Sequence, residues 1–403
     1  MYISMRYIIR GVDLTDWGWI AMDRRSFVKG AALSWATVSG ALTAAASQIK
    51  LPMANQQAAR PRKVPYKRIE TEGAWGPLEV FQMYTALLEK NPFAHPGLAS
   101  MWGTAGNRPG EGGGNSANPI VRRLADMGPG RIADMDASGI DLALTFLTAP
   151  GVQVFDASTA NSLATSTNDQ LAEAIRKYPT RFAGLAAIAP QDPKAAAKEL
   201  ERAMKTLGLK GAVVNSHTEG EYLDDPKFWE IFEAAEALNA PIYIHPREPG
   251  PQMLQPYLSR GMERALWGFN VEVSLHTLAL ITAGVFDRFP NLKIVIGHAG
   301  EGIPYMLYRI DYWERRKKPF MPKLKMLPSD YMRRNIYITT SGMPWGPAIQ
   351  FAQSVLGVDR VMYAMDYPYE FEIEEVTMSD DIPMSDADKK KFFQTNAETV
   401  FSL

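Results

Sequence analysis

The sequence contains no cysteine. Disulfide bonds, thiolate nucleophiles and cysteine-ligated zinc are therefore excluded, and the chain suits an oxidising compartment as well as a reducing one. Histidine is scarce, with five residues, so each one can be weighed as a ligand or proton carrier. Neither sign of charge dominates, because 43 lysines and arginines against 44 aspartates and glutamates leave a formal net charge of −1. No Lys/Arg run suits nucleic acid, so we expect no nucleic-acid partner.

The N-terminal segment has the pattern of an export signal. Met22-Asp-Arg-Arg-Ser-Phe-Val-Lys29 carries a twin-arginine signature, and a moderately apolar stretch, Ala31–Ala45, follows it. That stretch is too short for a comfortable membrane span, and small residues before Ser47 form a cleavage site. We therefore predict an upstream extension and signal peptide over residues 1–46, recognition by the twin-arginine export machinery, and a periplasmic mature protein with no stable membrane span. Met1 and Met22 both remain open as the start.

After a polar, basic linker at residues 47–66, apolar runs alternate with helical patterns. Helical patterns cover Ala160–Tyr178, Pro193–Leu207, Pro226–Leu238 and Val271–Phe289. The apolar runs have the near-continuous character of strands buried on both faces. They are Lys67–Glu72, Ile140–Leu147, Phe182–Ala189, Gly211–Ser216, Pro241–His245, Lys293–His298, Ile336–Thr340 and Val361–Asp366. Eight strands with helical crossovers predict an α/β fold, a single (β/α)8 TIM barrel over residues 67–403.

An irregular insertion, residues 90–120, separates the first two predicted strands and contains a glycine-rich run, Gly110-Glu-Gly-Gly-Gly114. No strand feeds this run directly, no helix opens directly after it, and no P-loop lysine follows. These features disfavour a phosphate-binding loop and favour a lid or a plain flexible loop.

Three of the predicted strands end on side chains that can bind a metal. Ile242-Tyr-Ile-His245 and Ile294-Val-Ile-Gly-His298 end on histidines, and Val361-Met-Tyr-Ala-Met-Asp366 ends on an aspartate. In a parallel barrel the C-terminal strand ends build the active site, whereas the rest of each strand is core. We therefore expect these three side chains to share a site.

The first predicted strand ends on two carboxylates, Glu70 and Glu72. Alternate strand residues point the same way, so both are expected to face the barrel interior. With His245 and Asp366 they offer a ligand set suited to one divalent ion with a position left for water or substrate. Lys210 precedes the fourth strand, at the wrong end to bridge two metals, so we expect one ion.

His298 and Glu301 are candidates for proton transfer. A glycine-containing turn separates them, so the carboxylate can bond the imidazole and fix its tautomer beside Asp366. Arg247 is a candidate clamp for a substrate carboxylate, although it could equally cap a neighbouring loop. His217 follows the fourth strand and is a candidate pocket-lining, substrate-binding residue.

Several motifs in order resemble the amidohydrolase superfamily, within it the amidohydrolase-related group that includes aminocarboxymuconate-semialdehyde decarboxylase and the ortho-hydroxybenzoate decarboxylases such as γ-resorcylate decarboxylase. The resemblance covers about Lys67 to Leu403. Its marks are Met135-Asp-Ala-Ser-Gly-Ile-Asp141, Ala189-Pro-Gln-Asp-Pro193, His245-Pro-Arg247, Gly297-His-Ala-Gly-Glu-Gly-Ile-Pro-Tyr305 with Arg309-Ile-Asp311, Ile338-Thr-Thr-Ser-Gly342, Asp366-Tyr-Pro-Tyr-Glu370 and Thr395-Asn-Ala397.

The resemblance implies a (β/α)8 barrel that holds one divalent metal. It assigns metal positions to Glu70, His245 and Asp366, and an orienting and proton-relay role to His298 and Glu301. In the decarboxylases of this group the metal binds the carboxylate and adjacent hydroxyl of the substrate. An acid then protonates the ring carbon, and carbon dioxide leaves.

One position departs from the family pattern. The strand-one motif of the family is Glu-x-His or His-x-His, whereas this chain has Glu70-Thr-Glu72. A carboxylate in place of an imidazole adds negative charge and hard oxygen, which favours manganese or magnesium over zinc. The export signal is a second departure, since these decarboxylases are usually cytosolic.

The leading functional hypothesis is a metal-dependent carboxy-lyase that acts on a small aromatic or unsaturated carboxylic acid. Two alternatives remain open: a metal-dependent hydrolase of an amide, lactone or ester on the same barrel, and a non-catalytic ligand-binding homologue. The resemblance also implies a homo-oligomer.

Overall fold

Parallel strands in two sheets form the centre of the structure, which is a computed structural model. It describes residues 63–91, 93–103, 118–317 and 323–403. The predicted export signal and most of the predicted linker lie outside these residues, as does the glycine-rich run of the insertion. No helix within the described ranges is both long and apolar enough to cross a membrane.

The strands are β1 (Ile69–Trp75), β2 (Leu142–Leu147), β3 (Phe182–Gly184), β4 (Ala186–Ala187), β5 (Ala212–Asn215), β6 (Pro241–His245), β7 (Lys293–Ile296), β8 (Ile336–Thr339) and β9 (Val361–Met362). One sheet has the order β1-β2-β3, and the other runs from β4 to β9 in sequence order. Every pair is parallel, with Asn215 of β5 opposite His245 of β6. The parallel α/β class is confirmed.

The helices are α1 (Leu78–Lys90), α2 (Pro96–Trp102), α3 (Pro119–Ala125), α4 (Pro129–Ser138), α5 (Ala157–Lys177), α6 (Pro193–Lys205), α7 (Trp229–Ala237), α8 (Pro251–Leu258), α9 (Gly268–Thr282), α10 (Val285–Arg288), α11 (Ile303–Glu314), α12 (Pro328–Asn335), α13 (Gly346–Leu356), α14 (Glu374–Asp380), α15 (Asp386–Lys390) and α16 (Asn396–Phe401). Aspartate caps explain two of the starts. Asp156 accepts from the Thr159 amide at α5, and Asp192 accepts from the Ala195 amide at α6.

Several predicted boundaries differ from the structure. The predicted third strand is two short strands, because the chain changes its pairing partner after Leu185, from β2 to β5. The predicted last strand, Val361–Asp366, is regular only over Val361–Met362. The predicted helix Val271–Phe289 is the pair α9 and α10. The insertion is less irregular than expected, since Pro96–Trp102 is helical.

Hydrophobic residues cover both faces of the central strands, as their apolar sequences predict. On β6, Ile242 and Ile244 pack into a large cluster with helix residues such as Phe232, whereas Tyr243 packs into a second cluster with Phe146. Side chains of α16, including Phe401, join this second cluster. Because alternate residues of a strand point to opposite faces, one strand supplies both layers of core.

Backbone hydrogen bonds also join β1 to the chain around β9. The Thr71 amide donates to the Tyr363 carbonyl at 3.2 Å, and the Ala74 amide donates to the Tyr367 carbonyl at 2.7 Å. These bonds bring the C-terminal end of β1 beside the segment that carries Asp366.

Candidate metal and proton-transfer site

Glu72 lies buried at the middle of β1, and its two carboxylate oxygens have different surroundings. Oε2 accepts hydrogen bonds from the hydroxyls of Tyr243, Thr339 and Ser341, the bond from Thr339 being 2.9 Å long. Oε1 is buried and has no hydrogen-bond partner. The three hydroxyls, which we call the hydroxyl cradle, therefore hold the carboxylate by one oxygen and leave the other available.

Glu72, His245 and Asp366 form a compact group of possible metal ligands. One ligand atom from each lies within 4.8 Å of the others, and all three residues are buried. Glu72 Oε1 is 3.5 Å from His245 Nε2. A buried carboxylate oxygen without a donor is costly unless a cation compensates it, so these residues fit a divalent ion.

His245 is oriented by a neighbour on the adjacent strand. Its Nδ1 lies 3.1 Å from Asn215 Oδ1, and its ring packs edge-on against Phe146 with centroids 5.4 Å apart. Burial lowers the pKa of His245 to about 4, although the Glu72 carboxylate acts in the opposite direction. The ring is therefore neutral at physiological pH, the form that binds metals.

His298 and Glu301 form the predicted pair. His298 Nδ1 is 2.6 Å from Glu301 Oε1, while its Nε2 is 3.9 Å from Glu72 Oε1 and 4.0 Å from Asp366 Oδ2. Burial opposes a charge on this imidazole, but the carboxylates of Glu301 and Glu72 outweigh it and raise the pKa of His298 well above its ordinary value. His298 therefore holds a proton that faces the ligand group.

Both His298 and Asp366 occupy the left-handed region of backbone space, with φ of 51° and 57°. Such conformations are strained for residues with a side chain and persist where the surrounding structure imposes them. Burial, reinforced by the negative charge of Glu72, raises the pKa of Asp366 well above its ordinary value. Burial thus favours the protonated form of Asp366, and the residue would release that proton on binding a divalent ion.

Glu70 does not join this group, contrary to the expectation that it shares a face with Glu72. Its Oε1 accepts from the Glu72 amide at 2.8 Å. Its Oε2 packs against Gly73 beside Arg131: a Cβ added at Gly73 would lie 2.8 Å from Glu70 Oε2 and 2.6 Å from Arg131 Nη2. The cause is a register shift between Glu70 and Gly73, which breaks the simple alternation of faces. The structure thus places Glu72, rather than Glu70, with His245 and Asp366.

Arg247 and His217, the predicted substrate contacts, both bond neighbouring groups, while the buried Nε of Arg247 has no hydrogen-bond partner. Arg247 Nη2 donates to Glu248 Oε1 at 2.6 Å, and Nη1 donates to the His217 carbonyl at 3.3 Å. Helix α2 lies directly over this pair, because a Cβ at Gly97 would be 2.1 Å from Glu248 Cγ. Arg247 therefore makes contacts of the loop-capping kind, which was the alternative to a clamp for the substrate carboxylate.

Both ring nitrogens of His217 contact backbone groups. Nδ1 accepts from the Gly220 amide at 3.1 Å, and Nε2 lies 3.2 Å from the Glu248 carbonyl. Burial and the positive charge of Arg247 lower the pKa of His217 to about 2, so the ring is neutral. Both ring nitrogens are engaged by backbone groups in this arrangement, and the substrate contact of His217 stays a prediction.

Four residues of the site, Tyr243, Thr339, Ser341 and Asn215, are not among the predicted ones. A signal for three of them was present, because Tyr243 lies two residues before His245, and Thr339 and Ser341 are two apart at the end of β8. Side chains two apart on a strand share a face, so hydroxyls near a predicted ligand were detectable. The sequence did not indicate which carboxylate these hydroxyls hold.

Comparisons with known proteins show which family this chain is similar to. A family model described as Amidohydrolase matches residues 117–403. The γ-resorcylate decarboxylase of Polaromonas sp. is 38% identical over 292 residues, which cover 70% of this chain and 89% of that protein.

Solved structures agree. The 5-carboxyvanillate decarboxylase of Novosphingobium aromaticivorans, complexed with manganese and 4-hydroxy-3-methoxy-5-nitrobenzoic acid, is 44% identical with a TM-score of 0.81, over 87% of this chain and 100% of that one. The 2,6-dihydroxybenzoate decarboxylase from Rhizobium is 31% identical with a TM-score of 0.72, over 84% and 99%.

These similarities confirm the predicted resemblance and the prediction of a metal-dependent enzyme, a carboxy-lyase. They also support a divalent metal as its cofactor. The chain belongs to the amidohydrolase family.

Proposed function

We propose that this protein releases carbon dioxide from a hydroxybenzoate and that its resident metal is manganese, with magnesium as the weaker choice. The observation that carries the proposal is the buried group Glu72, His245 and Asp366, with the imidazole of His298 against it. Support for the substrate and the ion comes from relatives that are hydroxybenzoate decarboxylases, one of them with bound manganese. Two carboxylates and one imidazole favour such an ion over zinc.

Glu72, His245 and Asp366 would hold the ion. When bound, it supplies positive charge that attracts the carboxylate and neighbouring hydroxyl of the substrate. The hydroxyl cradle keeps Glu72 Oε1 facing this position, and Asn215 keeps His245 Nε2 facing it.

The residues of the chain also provide the proton that decarboxylation needs. A proton is added to the ring carbon that bears the carboxylate, using a π-electron pair of the ring. The carbon–carbon bond to the carboxylate then breaks, its electron pair restores the aromatic ring, and carbon dioxide leaves. His298 holds a proton at the site and Glu301 stabilises its charged imidazole, while Asp366, ionised when it holds the metal, lies beside His298 as the partner base.

The test combines metal analysis with a substrate panel. Protein purified without added metal is analysed for manganese, magnesium and zinc, and the metal-free protein is then titrated with each ion. Carbon dioxide release is measured with 5-carboxyvanillate, 2,6-dihydroxybenzoate and benzoate, the last lacking the hydroxyl. We expect turnover of a hydroxylated substrate and none of benzoate. Tightly held stoichiometric zinc, or hydrolysis of esters and lactones without decarboxylation, would contradict the proposal.

We also propose that the two sheets close into the predicted (β/α)8 barrel. The hydrogen bonds from Thr71 to Tyr363 and from Ala74 to Tyr367 support closure between β1 and β9. At the other junction, the Leu185 amide between β3 and β4 donates to the Thr145 carbonyl at 2.9 Å, which continues the pairing with β2. An experimental structure with an open gap at either junction would refute closure.

A homo-oligomer remains part of the proposal. Helix α11 exposes Tyr305, Tyr308 and Trp313, and Phe351 of α13 lies 6.1 Å from the Tyr305 ring. Exposed aromatic clusters of this kind are typical of interfaces, and we commit to a second copy of this chain as the partner. Light scattering coupled to size-exclusion chromatography should show an oligomer that Tyr305→Ser with Tyr308→Ser dissociates. A monomeric parent protein would refute it.

The periplasmic location and the domain boundaries at residues 46 and 66 stay proposals that the sequence supports. Replacing both arginines, Arg24→Lys with Arg25→Lys, should retain the protein in the cytoplasm in a fractionation experiment. Export of the double variant at the parental level would contradict the twin-arginine route.

A further inference from the structure

We propose that Asn215 is a positioning residue of the metal site, because its side chain fixes both the ring orientation and the tautomer of His245. This inference rests on the proposed metal site and adds a residue to it. Asn215 ends β5 and lies opposite His245 in the register of β5 and β6. Its Oδ1 is 3.1 Å from His245 Nδ1, whereas His245 Nε2 is 3.5 Å from Glu72 Oε1.

The chemistry of an amide oxygen decides the tautomer. A carbonyl oxygen accepts hydrogen bonds only, so the imidazole nitrogen facing it must carry the ring proton. His245 Nδ1 then carries that proton, and Nε2 is left with the lone pair that a cation needs. Such bonds to the far nitrogen commonly orient metal-binding histidines.

The surroundings of Asn215 determine which end of its amide faces His245. A Cβ on Gly151 would lie 2.5 Å from Asn215 Nδ2, so the nitrogen end of the amide lies against the Gly151 backbone. Gly151 also has a φ of 64°, which disfavours any larger residue there. The oxygen end is thereby directed to His245.

Gln153, in the loop after β2, anchors the backbone of Asn215. Its Oε1 accepts from the Asn215 amide at 2.6 Å. Its Nε2 lies 3.2, 3.3 and 3.1 Å from the carbonyls of Asn215, Ser216 and His217, and 2.9 Å from Thr218 Oγ1. All of these residues are buried. One amide thus holds the loop that follows β5, which restricts the movement of Asn215.

A purely structural role for Asn215 is the competing explanation, and manganese binding distinguishes the two. Metal-free protein is titrated calorimetrically with Mn²⁺ alone for the parent, Asn215→Leu and Asn215→Asp. Leucine has a similar volume but no acceptor for the His245 Nδ1 proton, whereas aspartate keeps an acceptor oxygen in the same place. The matched control is Asn168→Leu. Asn168 is another buried asparagine, and its side chain bonds Ala187 and Glu199 rather than a proposed metal ligand.

We expect Asn215→Leu to weaken Mn²⁺ binding by about 10- to 100-fold and Asn215→Asp to bind at least as tightly as the parent, because aspartate keeps the acceptor and adds negative charge. Asn168→Leu should lower thermal stability and leave the Mn²⁺ affinity unchanged. Parental affinity in Asn215→Leu, or equal losses in the leucine and aspartate variants, would overturn the inference. If Asn215→Leu does not fold, Asn215→Ser provides the same comparison with a side chain too short to reach Nδ1. A parent that binds no Mn²⁺ would refute the proposed metal site itself, and this inference with it.

Discussion

Two single variants, Glu72→Gln and Glu70→Gln, test which carboxylate of β1 binds the metal. The sequence pattern favoured both glutamates equally, whereas the structure places only Glu72 with the other proposed ligands. Glu72→Gln keeps the volume of the side chain but removes its negative charge from the group with His245 and Asp366. Glu70→Gln makes the same chemical change two residues away. There the carboxylate faces the Glu72 amide and the vicinity of Arg131 instead of the ligand group.

The expected magnitudes follow from charge. Two unit charges about 4 Å apart interact by about 4 kcal/mol at an effective dielectric constant of about 20. A divalent ion carries twice the charge and would lie closer to its ligand, so Glu72→Gln should cost at least that much binding free energy. This corresponds to about a 10³-fold increase in the dissociation constant of Mn²⁺. For Glu70 the expectation is opposite, because burial raises its pKa to about 8 and it is mostly neutral at pH 7. The Glu70→Gln variant resembles this protonated form, so its dissociation constant for Mn²⁺ should stay within about threefold of the parental value, or about 0.7 kcal/mol.

Calorimetric titration of metal-free protein with Mn²⁺ at pH 7 measures both variants, and circular dichroism checks that each one is folded. Carbon dioxide release from the best hydroxybenzoate should fall with Glu72→Gln and persist with Glu70→Gln at saturating Mn²⁺. Parental affinity in Glu72→Gln, or a loss of more than about 10²-fold in Glu70→Gln, would refute the assignment of the ligand.

Three further changes test other parts of the site. Ser341→Ala removes one donor of the hydroxyl cradle and should weaken Mn²⁺ binding by about tenfold, measured by calorimetry; unchanged affinity would show that the cradle does not orient Glu72. His298→Ala should reduce kcat by about 10²- to 10⁴-fold while the Mn²⁺ dissociation constant stays within about threefold, and loss of the metal instead would make His298 a ligand. Burial raises the pKa of Glu272 to about 7, so the folded state holds this proton more tightly than the unfolded state does. Stability from this group is present below about pH 4.5 and is lost as pH rises to about 7, at up to about 1.4 kcal/mol per pH unit. Glu272→Gln should remove that part of the slope in urea unfolding followed across this range, whereas an unchanged slope would assign the titration to other groups.

The class of the fold was predictable from the sequence because strands buried on both faces must be apolar at every position. Ile242 and Ile244 on one face and Tyr243 on the other leave such a strand no solvent-exposed side. The same pattern could not give the ends of the strands. Regular pairing stops after Met362, and the chain continues through a left-handed residue at Asp366, which depends on contacts from other segments.

Within the site, the sequence identified the residues that are adjacent in the chain or that end a strand. His298 and Glu301 are three residues apart, so a turn between them was enough to predict their contact. Arg247 and His217 were harder to assign, because each bonds the loop that carries the other: Arg247 donates to the His217 carbonyl, and His217 contacts the Glu248 carbonyl. Side chains of this length reach several neighbours, and only the packed structure selects among them.

The sequence by itself determined that imidazole and carboxylate groups would gather at the ends of parallel strands, since alternation along a strand and the direction of parallel pairing are local properties of the chain. Only the tertiary structure decided which glutamate of β1 joins them. The register shift after Glu70 turns one carboxylate away, and hydroxyls from β6 and from the end of β8 hold the other by a single oxygen. Those strands are far apart in the sequence, so the contact exists only when the sheet has formed.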